Sequence, residues 1–240
     1  MGFWNLPSQR ELCKRNLPGG RGIARHQLSG VFDLHERDVG SRGSLDGAGF
    51  SKSVESTGDI NMIYRLSPDY FVRPLVEDDV DGPYPTWFED QEVCRYNSHG
   101  KFFKAKSYFR EYVRGLDHEG SLVWAICHDS DGHIGNISLQ KISPLNRTAE
   151  FAIILGDKRH WGKSVGMLAA KKMLEHGFQK MNLERVYCGT AAGNVGMMKL
   201  ASALHMTLEG TRRSHLFLEG TRVDVLEYGV LRYEFENETD

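Results

Sequence analysis

"RTAEFAIILGDKRHWGKSVGMLAAKKMLEHGFQKMNLERVYCGT", residues 147–190, holds a strand, a glycine-bearing loop, a helix and a second strand in one run. "TAEFAIIL" (148–155) is a short, nearly continuous apolar run of strand length. The segment from Ser164 onward sets Val165, Leu168, Ala169, Met173 and Leu174 along one helical face, and "RVYCGTAA" from Arg185 reads again as strand. Between them, "GDKRHWGKS" (156–164) looks like the nucleotide-binding loop G-x-x-x-x-G-K-[ST], which has four residues between its glycines. Here Asp157, Lys158, Arg159, His160 and Trp161 intervene, one too many. The ingredients of an anion site are present all the same. The loop follows a buried strand, carries Gly162, and opens a helix whose first amides lack internal partners at the positive end of its dipole. Arg159, His160 and Lys163 add donors. A nucleotidase would also need a magnesium-binding acid after a second apolar strand, and a parallel sheet. The nearest candidate, "WAICHD" (124–129), ends in a turn, and the strands before the loop read as an antiparallel meander.

Working outward, "YFVRPL" (70–75) is a strand ending at Pro74. "VEDDVDGPYPTWFED" (76–90) opens with acidic residues that suit a helix N-terminus. "AKSYFREYVRGL" (105–116) is an amphipathic helix with Tyr108, Phe109, Tyr112, Val113 and Leu116 on one face, and "SLVWAICHDSDGHIGNISLQKI" (121–142) is a hairpin around Asp131-Gly132. A short helix, "VGMMKLASALHM" (195–206), precedes two closing strands around Glu219-Gly220, "HLFLEGTRVDVLEYGVLRYEF" (215–235). This order predicts an α+β, mixed α/β protein with a mostly antiparallel central sheet flanked by helices. Residues 1–60 are rich in Gly, Ser and Arg and poor in apolar side chains, which predicts a disordered extension ahead of a folded domain at 61–240.

Bulk composition narrows the function. The 240 residues carry a net charge of −2 and 40% hydrophobic residues, which fits one ordinary domain with room for an extension. That charge gives no general attraction to nucleic acid or acidic membranes, so neither is expected as a partner. Cys13, Cys94, Cys127 and Cys188 form no C-x-x-C pair and read as reduced thiols of a cytoplasmic protein. No apolar run reaches the ~18 residues of a membrane span, and "MGFWNL" lacks a signal-peptide core. The ten histidines include no H-E-x-x-H and no zinc-spaced Cys/His cluster, so no metal is expected; nor is there a G-x-S-x-G turn.

"RHWGKS" gives Arg159, Gly162 and Ser164 where the GCN5-related N-acetyltransferase (GNAT) superfamily has Q/R-x-x-G-x-G/A. The whole run from 147 to 190 follows that family's order of strand, loop, helix and strand. With "YFVRPLVEDDV" near residue 70 and "VDVLEYGVLRYEF" at the end, the chain over roughly 69–235 resembles this family, within it the group of ribosomal-protein alanine and spermidine acetyltransferases. The resemblance implies a splayed sheet that binds acetyl-coenzyme A. Its diphosphate would rest on the amides of His160, Trp161, Gly162, Lys163, Ser164, Val165 and the neighbouring Gly166, with Arg159 beside it. Its pantetheine arm would pair with backbone near Ile153, Ile154 and Leu155, where the two strands part, and Asn194 matches the family's cofactor-binding Asn. The plainer alternatives are a helix cap for Asn194 and a packing role for Gly162.

The acceptor implied is a primary amine. An alkylamine with a pKa of ~10.4 is only about 0.04% neutral at pH 7, so a base or a desolvated pocket is required. Glu150, a carboxylate on an otherwise apolar strand, is the first candidate, with an ion pair to Arg147 as the structural alternative. A strand amide near Ile154 would meet the oxyanion. The family's Tyr, seven residues past the Asn, is here Ala201, which cannot donate a proton; His205 is a remote substitute. His99, a second catalytic candidate, and Asn97 lie in "RYNSHGKFF" (95–103), which could line the acceptor pocket. Arg212, Arg213 and His215 could hold an anionic acceptor, with Arg213 the substrate-binding candidate. These features favour a small-molecule amine such as an amino sugar or amine metabolite. A protein N-terminus as acceptor, or a non-catalytic acyl-coenzyme A binding module, are the alternatives, and a homodimer is left open.

Overall fold

The computed structural model of the chain describes residues 63–237; the extension expected at 1–60 lies outside them. Eight strands form one sheet in the order β1-β2-β3-β4-β5-β6-β8-β7. They are β1 (Tyr64–Arg65), β2 (Tyr70–Pro74), β3 (Ser121–His128), β4 (Gly132–Ser143), β5 (Thr148–Leu155), β6 (Arg185–Ala191), β7 (Thr207–Leu218) and β8 (Thr221–Leu231). Four α-helices are described: α1 (Lys106–Arg114), α2 (Val165–Gln179), α3 (Val195–Ala203) and α4 (Arg232–Asn237). None is long and apolar enough to cross a membrane.

Each sheet face buries a different apolar set. The face under α2 packs Val72, Ile126, Ile137, Leu139, Ala149 and Phe151 against Val165, Ala169, Met173, Leu174 and Phe178. The other face sets Val123, Ala125, Cys127 and Ile154 against Tyr84, Trp87, Phe88 and the α1 residues Phe109, Tyr112 and Val113. Every neighbouring pair of strands is antiparallel except β5 and β6. Those two run parallel for only three steps, Thr148↔Arg185, Ala149↔Val186 and Glu150↔Tyr187. Beyond Glu150 they part, while β5 stays paired with β4 to Leu155 and β6 with β8 to Ala191. The sheet therefore splits.

Three expectations need correcting. The acidic segment after β2 is not an α-helix but two 3-10 turns, Glu77–Asp81 and Tyr84–Phe88. Gly82, Pro83 and Pro85 interrupt it, and proline supplies no amide to continue a helical ladder. β7 begins at Thr207 rather than near His215, and two irregularities in its pairing with β8 hide its alternation. "RYEF" at the end is helix α4, not strand.

Candidate active site

The split between β5 and β6 holds a cavity of about 820 Å³. β5 contributes Ile153, Ile154 and Leu155; the following loop and α2 contribute Trp161, Gly162, Ser164, Val165 and Gly166. Asn194, at the N-terminus of α3, closes one side, and Asn97 and His99 close another. The fold thus gathers most of the positions singled out in sequence.

The loop's amides are divided. A 3-10 turn at Lys158–His160, capped by the Asp157 carboxylate, uses the amide of His160 on Asp157 O (3.1 Å) and that of Trp161 on Lys158 O (3.1 Å). These two leave the expected anion-binding set. The amides of Gly162, Lys163, Ser164, Val165, Gly166 and Met167 donate to nothing among the described residues. Ser164 precedes α2 with a left-handed φ of 60° and makes no side-chain cap, and Gly162 has φ 75°. Alternating hands of this kind curve successive N–H groups toward a common point, the geometry of an anion nest.

The side-chain donors expected beside the loop are spent elsewhere. Arg159 is held by Asp157 (2.6 Å) and Asp131 (3.3 Å) and does not line the cavity. The His160 ring is buried between Tyr70 and Asp131. Lys163 is exposed and outside the lining. Trp161 folds its indole back so that Nε1 donates to Leu155 O at 2.9 Å, which takes that carbonyl out of the arm-binding edge. Asn194 does cap α3, its Oδ1 accepting from Met197 N at 3.2 Å, and this leaves its NH₂ to donate.

The sequence from 70 to 207 matches the family profile described as the acetyltransferase (GNAT) domain. The chain belongs to the GNAT acetyltransferase family. It is an acetyl-coenzyme A-dependent N-acetyltransferase. An uncharacterised N-acetyltransferase, p20, of Bacillus licheniformis is 27% identical over 169 residues, 68% of this chain and 93% of the relative. Spermidine N-acetyltransferase from Vibrio cholerae, solved with coenzyme A and spermine, superposes with a TM-score of 0.64 at 20% identity, covering 71% of this chain and 100% of that one. A ribosomal L7/L12 alpha-N-protein acetyltransferase solved with coenzyme A gives a TM-score of 0.65 at 18% identity, covering 71% and 98%.

Within this GNAT acetyltransferase, Glu150 stands at the last paired step before the split, 3% exposed. Its ion-pair partner is Lys141, at 2.6 Å, and not Arg147, which binds Glu184. A bulge in β4 puts Lys141 at φ 48° and turns it toward the carboxylate. Glu150 is not among the cavity-lining residues. His99 is, but burial, aided by the Lys104 charge, pushes its pKa down to about 4, leaving the ring neutral and weakly basic. The Asn97 carboxamide oxygen accepts the His99 amide at 2.8 Å. Arg213 is exposed and does not line the cavity, and Arg212 is bound to Glu227. Ala201 is fully buried in the apolar core. Reading by motif missed Tyr96, the one tyrosine lining the cavity among the described residues; its ring packs against the turn at Gly193, beside Asn194. Tyr96 lies in a non-periodic polar stretch, where only its adjacency to Asn97 marked it.

Proposed function

We propose that this enzyme acetylates the primary amine of a small molecule, with coenzyme A held in the β5–β6 split. What carries the reading is the row of six amides, Gly162 to Met167, that find no acceptor among the described residues, at the mouth of a cavity lined by strand backbone that the parting of β5 and β6 leaves without its neighbour. Helix-start amides without internal partners, at the positive end of the dipole, favour an anion, and the unpaired edge of β5 favours an amide-bearing arm along the strand. Two structural relatives that hold coenzyme A, one of them a spermidine N-acetyltransferase that also holds spermine, support the assignment.

The co-substrate supplies an activated acetyl thioester. The chain supplies position and proton management. Gly162 to Met167 hold the diphosphate, and the free edge of β5 near Ile153 and Ile154 aligns the arm. Glu150, at the closed end of the split, accepts the amine's proton through water, with Lys141 keeping the carboxylate oriented. The Tyr96 hydroxyl, on the cavity wall beside Asn194, donates to the departing sulfur in place of the absent tyrosine at Ala201. His99 and Asn97 shape the acceptor's end. Because Arg212 is neutralised by Glu227 and Arg213 stands off the cavity, the acceptor does not need a phosphate or nucleotide.

The test pairs calorimetry with coenzyme A and a free-thiol release assay across polyamines, amino sugars, their nucleotide-linked forms and ribosomal-protein N-terminal peptides. Binding plus thiol release with a polyamine or amino sugar is expected. Release only with peptides would move the acceptor to protein termini, and binding without release would make the chain a non-catalytic module. Gly162→Glu should weaken coenzyme A binding by about 100-fold or more, because a carboxylate there faces the diphosphate. Unchanged affinity would remove the loop as its site.

A further inference from the structure

The loop that carries these six amides is tied to the β3–β4 turn by a cluster that acetyl transfer does not use. His160 Nε2 lies 3.1 Å from Asp131 Oδ2, and His128 Nδ1 lies 3.2 Å from the same oxygen. No two of these three donor atoms are more than 4.8 Å apart. Behind them, Tyr70 Oη sits 2.9 Å from His160 Nδ1. We propose that His128, Asp131 and His160 form a binding site for one divalent transition-metal ion, zinc being the best match, with water as fourth ligand.

Geometry and donor chemistry agree on this. An ion held tetrahedrally at about 2.0–2.2 Å separates its N and O ligand atoms by about 3.3 Å, close to both spacings seen here. Two imidazoles and a carboxylate are a donor set suited to zinc and its neighbours. The outer contact is in place as well. If Tyr70 Oη accepts the Nδ1 proton of His160, the ring's Nε2 presents its lone pair toward Asp131, the usual orientation of a ligating histidine. His128 Nδ1 also lies 3.3 Å from the Asp131 backbone amide and 3.1 Å from Ser130 Oγ, and an ion would take the lone pair that these two weak contacts address. Arg159 takes the other oxygen, Oδ1, at 3.3 Å and so fixes the carboxylate. Asp157 Oδ2, 3.9 Å from His160 Nε2, is already held by Arg159, while His128 and Asp131 are partly open to water. The ion would clip the hairpin turn to the loop two residues before Gly162, and would take no part in the chemistry.

Full-length protein stripped with a chelator is titrated with zinc chloride by calorimetry, then loaded with cobalt for visible absorption. We expect one ion per chain, the intense bands of four-coordinate cobalt, and an unfolding midpoint raised by ~5–10 °C at about 100-fold excess over Kd. His128→Ala and Asp131→Asn, both at partly exposed positions, should each abolish saturable binding while keeping the far-ultraviolet dichroism of the parent. Tyr70→Phe should weaken binding by about 10–100-fold. No saturable binding, or one-to-one binding that both ligand variants retain, overturns the site. Neither outcome bears on coenzyme A affinity, which is measured separately.

Discussion

Glu150 and Tyr96 divide the proton traffic of the proposed reaction, and each can be removed with little change of shape. Glu150→Gln keeps the side chain's volume but removes the charge that Lys141 binds. Lys141 is about half exposed, at 48%, so it can turn to water when left unpaired. Turnover should fall by about 100-fold, the usual contribution of a positioned base, with coenzyme A affinity unaltered in calorimetry. Tyr96→Phe should lower kcat by a similar factor with little change in KM for acetyl-coenzyme A. Full turnover in either variant would hand that proton to water alone. What distinguished these two residues in sequence differs. A lone carboxylate on an apolar strand stands out by composition. A tyrosine in a polar loop does not, because its role depends on where the 3-10 turns deliver it.

At the scale of elements, the end of β5 is set by one close approach. A Cβ added to Gly156 would fall 1.9 Å from Trp87 Cδ2, so the indole from the second 3-10 turn lies directly on the backbone where β5 gives way to the loop. Gly156→Ala should displace Trp87 and cost about 2–4 kcal/mol in urea unfolding. Gly162→Ala meets nothing within 4 Å and should cost only the ~1–2 kcal/mol of a left-handed alanine. Equal losses would mean that Trp87 is not packed as described. The longer elements were readable because their apolar periods are long: α1, α2 and the β3–β4 hairpin follow from spacing alone. The segment after β2 misled because three acids in a first turn signal a helix while Gly82, Pro83 and Pro85 forbid one. The split itself has no periodicity to betray it; only the likeness to a family suggested it. The contacts that engage His160 and Leu155 within the cavity wall are hidden for a related reason, since local sequence cannot show that a ring folds inward to Asp131 or that Trp161 takes a strand carbonyl.

For the whole molecule, the neutral histidine in the cavity wall links stability to pH. His99 titrates at about 4 in the folded protein, because burial and the Lys104 charge disfavour its cation, against an ordinary value of about 6.5 in the unfolded chain. Between those values the unfolded chain binds more protons than the native one, so stability falls as pH falls. The loss from this group should be about 1–2 kcal/mol between pH 7 and pH 5, and negligible above pH 7. Asp79 acts in a separate window. Burial alone would raise its pKa, but hydrogen bonds from Arg73 and His133 hold it well below the usual carboxylate range, so its contribution is lost only in more acid solution. His176, lowered by burial and by Lys180 and Lys172, adds a slope of the same sign as His99. Comparing parent protein with His99→Gln isolates the one group, since Asp79 and His176 remain in both. Urea unfolding at pH 7 and pH 5 should show a smaller loss in the variant by that 1–2 kcal/mol, whatever its absolute stability. Equal losses in the two proteins would place His99 in contact with water, and with it that wall of the cavity.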